Sequence, residues 1–135
     1  MRLALLLLAL VFALPGAARA DCLPGMPGDS AVTVQLFFGR SIKGGGVVDD
    51  TAWKDFVAAE ITPRFPSGLT IIDAHGQWQQ RATGMVTAER STIVLIVTEF
   101  TTANWHKFNA IRDGYKTRFK QESVGFVANT SCASW

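Results

Sequence analysis

Two cysteines, Cys22 and Cys132, stand near opposite ends of the chain, and their separation of 110 residues constrains the fold more than any other feature. If they bond, whatever lies between must bring its first and last segments side by side. Bonding depends on the compartment, because disulfides persist where the surroundings are oxidising. The N-terminal residues bear on that point. Arg2 precedes a wholly apolar run of 12 residues from Leu3 to Leu14, followed by Pro15-Gly16 and Ala18-Arg19-Ala20. This is the charged, apolar and small-residue order of a secretory signal. Crossing a bilayer takes roughly 20 apolar residues, so the run is short for a retained anchor. Arg19 and Asp21 ahead of Cys22 do not fit a lipoprotein processing site. The expectation is a signal peptide over 1–20, a lead over 21–30 and a single α+β domain over 31–135, periplasmic or secreted, with no membrane anchor after cleavage. In that setting Cys22 and Cys132 form a disulfide, for which the chain-entropy treatment gives about 4 to 5 kcal/mol. Thiols kept free for metal or redox chemistry would call for a C-x-x-C spacing, and none occurs.

Charge excludes one class of partner. The whole chain has 13 basic and 11 acidic residues, and the signal removes Arg2 and Arg19 but no acid, so the mature protein is formally neutral. Neither nucleic acid nor an anionic membrane is indicated by such a balance. Tyr115 is the single tyrosine and the basic residues are scattered, so no stacking platform threaded with cations is present.

Periodicity supplies the elements. Val32, Val34, Leu36 and Phe38 alternate with Thr33, Gln35 and Phe37, a period of two that predicts a strand over 31–38. After Gly39 and the Gly44-Gly45-Gly46 run, Asp49 or Asp50 can cap a helix that carries Trp53, Phe56, Val57 and Ile61 and ends at Thr62-Pro63. An extended segment from Leu69 to about Gln80 follows, with a hairpin tip near Gly84. Ser91 to Glu99 is rich in β-branched residues and reads as a strand. Thr101 or Thr102 can cap a second helix with Trp105, Phe108, Ile111, Tyr115 and Phe119 on one stripe, and Glu122 to Ala128 reads as a last strand.

The order β-α-β-β-α-β predicts a ferredoxin-like sandwich, a four-stranded antiparallel sheet with two helices on one face. In that topology the first and last strands are antiparallel neighbours, which brings the two cysteine-bearing leads together. Strand three is apolar on both sides, with Ile93, Leu95 and Val97 on one and Val94 and Ile96 on the other. A sheet with one wet face should alternate. The uncovered face is therefore expected to meet a second copy, in a homodimer, or a small ligand.

Phe37-Phe38-Gly39-Arg40, the T-P-R-F-P-S-G-L-T stretch from Thr62 to Thr70, Gly76-Gln77-Trp78 and the run from Tyr115 to Val124 closely resemble the bacterial family called "domain of unknown function 3574". The likeness spans nearly all of the mature domain. Ser67 stands where the family's pattern has aspartate, and either residue can cap a turn before glycine. What the resemblance implies is a folded, exported domain; it assigns no activity and no cofactor.

Several side chains are candidates for chemistry. Arg64, held between two prolines, could grip a carboxylate or phosphate, or could instead pin the turn through Glu122 or Asp73. Arg40, at the end of strand one, is a second arginine of the same kind, and Trp78 is a candidate ligand contact. Asp73 and His75 lie two apart on a strand and so share a face, the spacing of a carboxylate-held histidine for acid-base work or of two metal ligands. No third ligand is evident, so no metal is expected. His106 shares its helix face with Lys107 and is expected in solvent. The glycine run precedes a helix but lacks the ending of a phosphate loop and reads as a mobile loop. Arg112, Lys116 and Lys120 form a row near a helix C-terminus that suits the macrodipole, and Asn129-Thr130-Ser131 matches a glycosylation sequon. Two functions follow as expectations: a non-catalytic module that binds a small ligand or itself, or a small dimeric enzyme using Asp73 and His75 with an arginine anion clamp.

Overall fold

A computed structural model describes Cys22, Pro24, Gly25 and residues 27–135; the expected signal peptide lies outside the described residues. Four strands form one sheet in the order β2-β3-β1-β4: β1 Asp29–Gly39, β2 Thr70–Gln79, β3 Val86–Thr98 and β4 Gly125–Ala133. Every neighbouring pair is antiparallel. Two helical segments, α1 from Asp50 to Phe56 with its continuation Val57–Ile61, and α2 Thr102–Phe119, cover one face. The fold is the ferredoxin-like α+β sandwich that the element order predicts.

Alternation along β1 decides which face is covered. Val34, Leu36 and Phe38 are completely buried beneath the helices together with Val94 on β3. Phe38 packs edge-on against Trp53 at 5.1 Å and Tyr115 at 4.8 Å, and Phe56 meets Tyr115 at 5.1 Å. On the other side Thr33, Gln35 and Phe37 stand beside Val97, Leu95 and Ile93 and face outward.

The Asp49 carboxylate accepts the Ala52 N–H at 2.8 Å and starts α1. Its last turn departs from the expected regular helix by widening to a π-turn over Val57–Ile61, closed by the Thr62 N–H on the Val57 carbonyl. Phe56 and Ile61, five apart and both fully buried, explain the widening: one π-turn puts both on the core side. Thr101 caps α2 through the Asn104 N–H at 3.1 Å. Buried Phe108, Ile111, Tyr115 and Phe119 follow at helical spacing, and Lys120 ends the helix in the left-handed region.

Two boundaries move. β3 begins five residues before the expected Ser91, because the hairpin closes tightly at Gln80–Met85, with Gly84 at φ 71°. β4 runs Gly125–Ala133 rather than 122–128, so the Asn129-Thr130-Ser131 sequon lies in an edge strand. The shift carries Cys132 to a position opposite Ser30 on β1. Cys22 and Cys132 are bonded, with Cα atoms 5.5 Å apart. Among the described residues no helix is long and apolar enough to cross a membrane.

Candidate functional site

Glycine inside a strand marks a place where something approaches the backbone closely. Three strand glycines, Gly76 on β2, Gly39 on β1 and Gly125 on β4, sit on the face that the helices leave open. Gly76 is opposite Glu89 on β3, Gly39 opposite Ser91, and Gly125 opposite Phe37. The Glu89 side chain lies across the gaps: its Cγ is 3.7 Å from where a Gly76 Cβ would be, and its carboxylate oxygens are 3.3 Å from where a Gly39 Cβ would be. A side chain at Gly39 would press on the carboxylate, whereas a methyl at Gly76 would make an ordinary contact with the Glu89 Cγ.

Around this floor the loops after β1 and before β4 raise a rim, enclosing an open cleft of about 910 Å³. Trp78 and Phe37 supply aromatic walls and remain substantially exposed, while Thr87, Ser91 and Gln80 supply polar groups. Lys43 and Glu122 pair with each other on the rim, both largely in solvent; Lys120 also borders the cleft and makes no ion pair with Glu89. Glu89 is partly buried, and its carboxylate has no hydrogen-bond or ion-pair partner among the described residues. Beneath the floor, the Tyr115 hydroxyl donates to the Gly39 carbonyl at 2.8 Å. Burial pushes the Tyr115 pKa up to about 12; the Arg40 charge opposes the rise and the Glu89 charge adds to it.

The helix-covered face holds most of the residues singled out from sequence. Arg40 is 1% exposed, a strut rather than an open clamp. Its guanidinium donates to the Val48 carbonyl at 2.7 Å, the Thr92 hydroxyl at 3.2 Å and the Asp50 carboxylate at 3.0 Å, and lies over Trp53. Asp50 also pairs with Arg90 at 2.8 Å, and Arg90 reaches Asp73 at 3.4 Å. Arg40 and Asp73 thus belong to one alternating chain of charges. Chiefly the Arg40 hydrogen bond, reinforced by the Arg90 charge, holds the Asp50 carboxyl below the usual carboxylate range. His75 is exposed opposite Arg90, and its side chain makes no hydrogen bond or ion pair with any described residue.

Arg64 does not meet Arg40, Asp73 or Glu122. It pairs one turn back with Glu60, both on the carboxylate at 2.8 Å and on the backbone carbonyl. Arg112 leaves the expected solvated row: half-buried, it donates to the Val124 carbonyl and Asn109 and covers the Phe126 ring. His106 is exposed. The glycine run forms a closed turn, with Ile42 and Gly46 hydrogen-bonded and all three glycines at positive φ. No group of three or more His, Cys, Asp or Glu capable of holding a metal occurs among the described residues.

Of the candidate catalytic and ligand-contact residues Arg40, Arg64, Asp73, His75 and Trp78, Trp78 alone lines the cleft; Lys120 and Glu122, named from sequence in other roles, also border it. Sequence reasoning missed Glu89, and the signal that could have found it was glycine recurring inside strands.

Several solved structures share the fold. A phage SAM lyase, solved alone and with S-methyl-5'-thioadenosine, superposes with a TM-score of 0.55 at 19% identity, covering 84% of this chain and 98% of its own. CutA1 from Oryza sativa gives 0.51 at 11% identity over 79% and 84%, and CutA from Synechococcus elongatus gives 0.50 at 8% over 78% and 80%. At such identities the likeness establishes the fold alone. No curated protein matches the chain. The family model described as "Protein of unknown function (DUF3574)" matches residues 33–135, and the chain belongs to that family.

Proposed function

We propose that this is an exported, non-catalytic module that binds a small ligand in the open-face cleft. The observation that carries the reading is Glu89, a partly buried residue whose carboxylate has no partner among the described residues, laid over a glycine floor between aromatic walls. Clefts with an apolar lining and a few placed polar groups are the usual form of small-molecule sites. Export is supported by the order of the N-terminal residues and by the Cys22–Cys132 disulfide. The phage lyase with the same fold was solved with S-methyl-5'-thioadenosine, which makes that compound a sensible first probe.

The enzyme reading on Asp73 and His75 has less support, because the arginines it needs, Arg40 and Arg64, are engaged within the fold. Self-association is a second reading, favoured by Phe37, Ile72, Trp78 and Val127, which are 37 to 49% exposed on the open face over Ile93, Leu95 and Val97. Sedimentation of the wild type and of Val127→Lys tests it.

The cleft reading is tested by native mass spectrometry of protein purified from its own host, beside an NMR titration with S-methyl-5'-thioadenosine. A small molecule retained by the wild type and lost in Trp78→Ala supports it. Protein that emerges bare, with cleft amides unmoved by the probe, counts against it.

A further inference from the structure

A carboxylate lining a cleft commonly pairs with a cation or with hydrogen-bond donors. Glu89 is partly buried with its carboxylate oxygens open to solvent, and it has neither kind of partner among the described residues. The charged groups facing it are few. Lys43 is committed to Glu122 on the rim, with both side chains more than 70% exposed, and Lys120 borders the cleft without pairing. On the sheet's other side Arg40 spends its donors on Val48, Thr92 and Asp50, and Arg90 pairs with Asp50 and Asp73. Among the described residues no cation pairs with Glu89 from within the cleft.

Aromatic surface lies next to that charge. Trp78 sits opposite Thr87, and so diagonally beside Glu89 on the same face. Diagonal neighbours of this kind stand roughly 7 to 8 Å apart, enough for a flat ring to rest against the indole with its charge over the carboxylate. An indole face attracts cations, so wall and floor favour the same sign of ligand. The missing side chains at Gly39 and Gly76 let the Glu89 side chain lie low against the sheet, where a ring can rest above it.

Resting on the cleft reading above, we propose that the ligand is an organic cation: a positive nitrogen or sulfur centre attached to, or part of, a flat ring, with Glu89 as its counter-ion and Trp78 as its stacking wall.

One ring carrying three different charges provides the test. Nicotinamide, 1-methylnicotinamide and nicotinate are titrated into the full mature chain with its disulfide closed, and binding is followed by the amide shifts of Gly39, Gly76, Glu89 and Gly125. Expected is about tenfold tighter binding of 1-methylnicotinamide than of nicotinamide, or about 1.4 kcal/mol, with nicotinate weakest. Glu89→Gln should bring the first two within about twofold of each other, and Trp78→Ala should weaken both, the cation somewhat more. An unchanged spectrum away from the cleft shows that each variant is folded. Nicotinamide binding as well as its methylated cation, nicotinate binding tightest, or a cation preference that survives Glu89→Gln would each overturn the proposal. In the first two cases the cleft reading stands, since the ligands still bind there; if no probe moves the cleft amides, both fall.

Discussion

Replacing Arg40 by methionine separates a buried strut from an anion clamp. The methionine keeps an unbranched stem against Trp53 but deletes the donors that meet the Val48 carbonyl and the Thr92 hydroxyl, both inside the fold. Stranding a buried polar group costs roughly 1 to 3 kcal/mol, and two such groups put the expected loss at about 2 to 6 kcal/mol. Thr92 is fully buried, so Thr92→Val alone should cost about 1 kcal/mol by leaving an arginine donor unmet. In the Arg40→Met background the same change should be neutral or restorative, because the hydroxyl then has no donor to lose. Urea melts of the four proteins at pH 7, followed by tryptophan fluorescence with the disulfide intact, read the whole cycle. The acid limb adds a second reading. Asp50 titrates below its unfolded value of 3.8; its contribution is therefore in place above that pH and is lost as the pH falls through the lower folded value. Arg40→Met should blunt this loss without abolishing it, because Arg90 still reaches Asp50. A cost for Arg40→Met under about 1 kcal/mol, or strictly additive costs in the cycle, would refute the strut.

Other consequences are as direct. Tyr115 is the single tyrosine, so tyrosinate absorbance should appear only near pH 12 in the folded protein. Because its folded pKa is raised, the stabilisation is complete below about pH 10 and is lost as the pH climbs toward 12; ionisation near pH 10 ahead of unfolding would contradict that burial. Reducing the disulfide, or replacing both cysteines by serine, should lower stability by about 4 to 5 kcal/mol on the loop-length argument, read from urea midpoints with and without reductant. Gly114→Ala should raise stability by up to about 1 kcal/mol, since the new methyl would stand 3.9 Å from Glu60 and Phe56, an ordinary contact; a thermal melt that falls would show that α1 and α2 are already at their limit of approach.

Long-range architecture was legible because it rests on patterns that survive burial. The β1 alternation, the β-branched run in β3 and the stripe on α2 each point to a face, and the cysteine pair indicates which ends meet. Local departures were not legible where a polar run could serve two purposes. Asn129-Thr130-Ser131 falls just past the expected end of the last strand at Ala128, yet an edge strand with one side in water accommodates it. Arg112 reads as a surface charge because nothing near it in sequence announces the Val124 carbonyl it bonds. The site was harder still. Glu89 lies in a stretch that looks like a polar approach to the third strand, and its setting is made by Gly76 and Gly39, residues on two other strands. The absence of side chains there becomes informative only once the register is known.

A floor made of glycine backbone has a chemical consequence of its own. The peptide N–H and C=O groups along Gly76 and Gly39 lie roughly in the plane of the sheet, directed along it toward neighbouring strands such as β3 and not up at a guest. A guest resting there meets amide planes with little left to offer, so the hollow supplies shape while discrimination falls to the few side chains around it. Selectivity could then change through one or two substitutions at the margin, with the platform underneath left as it is.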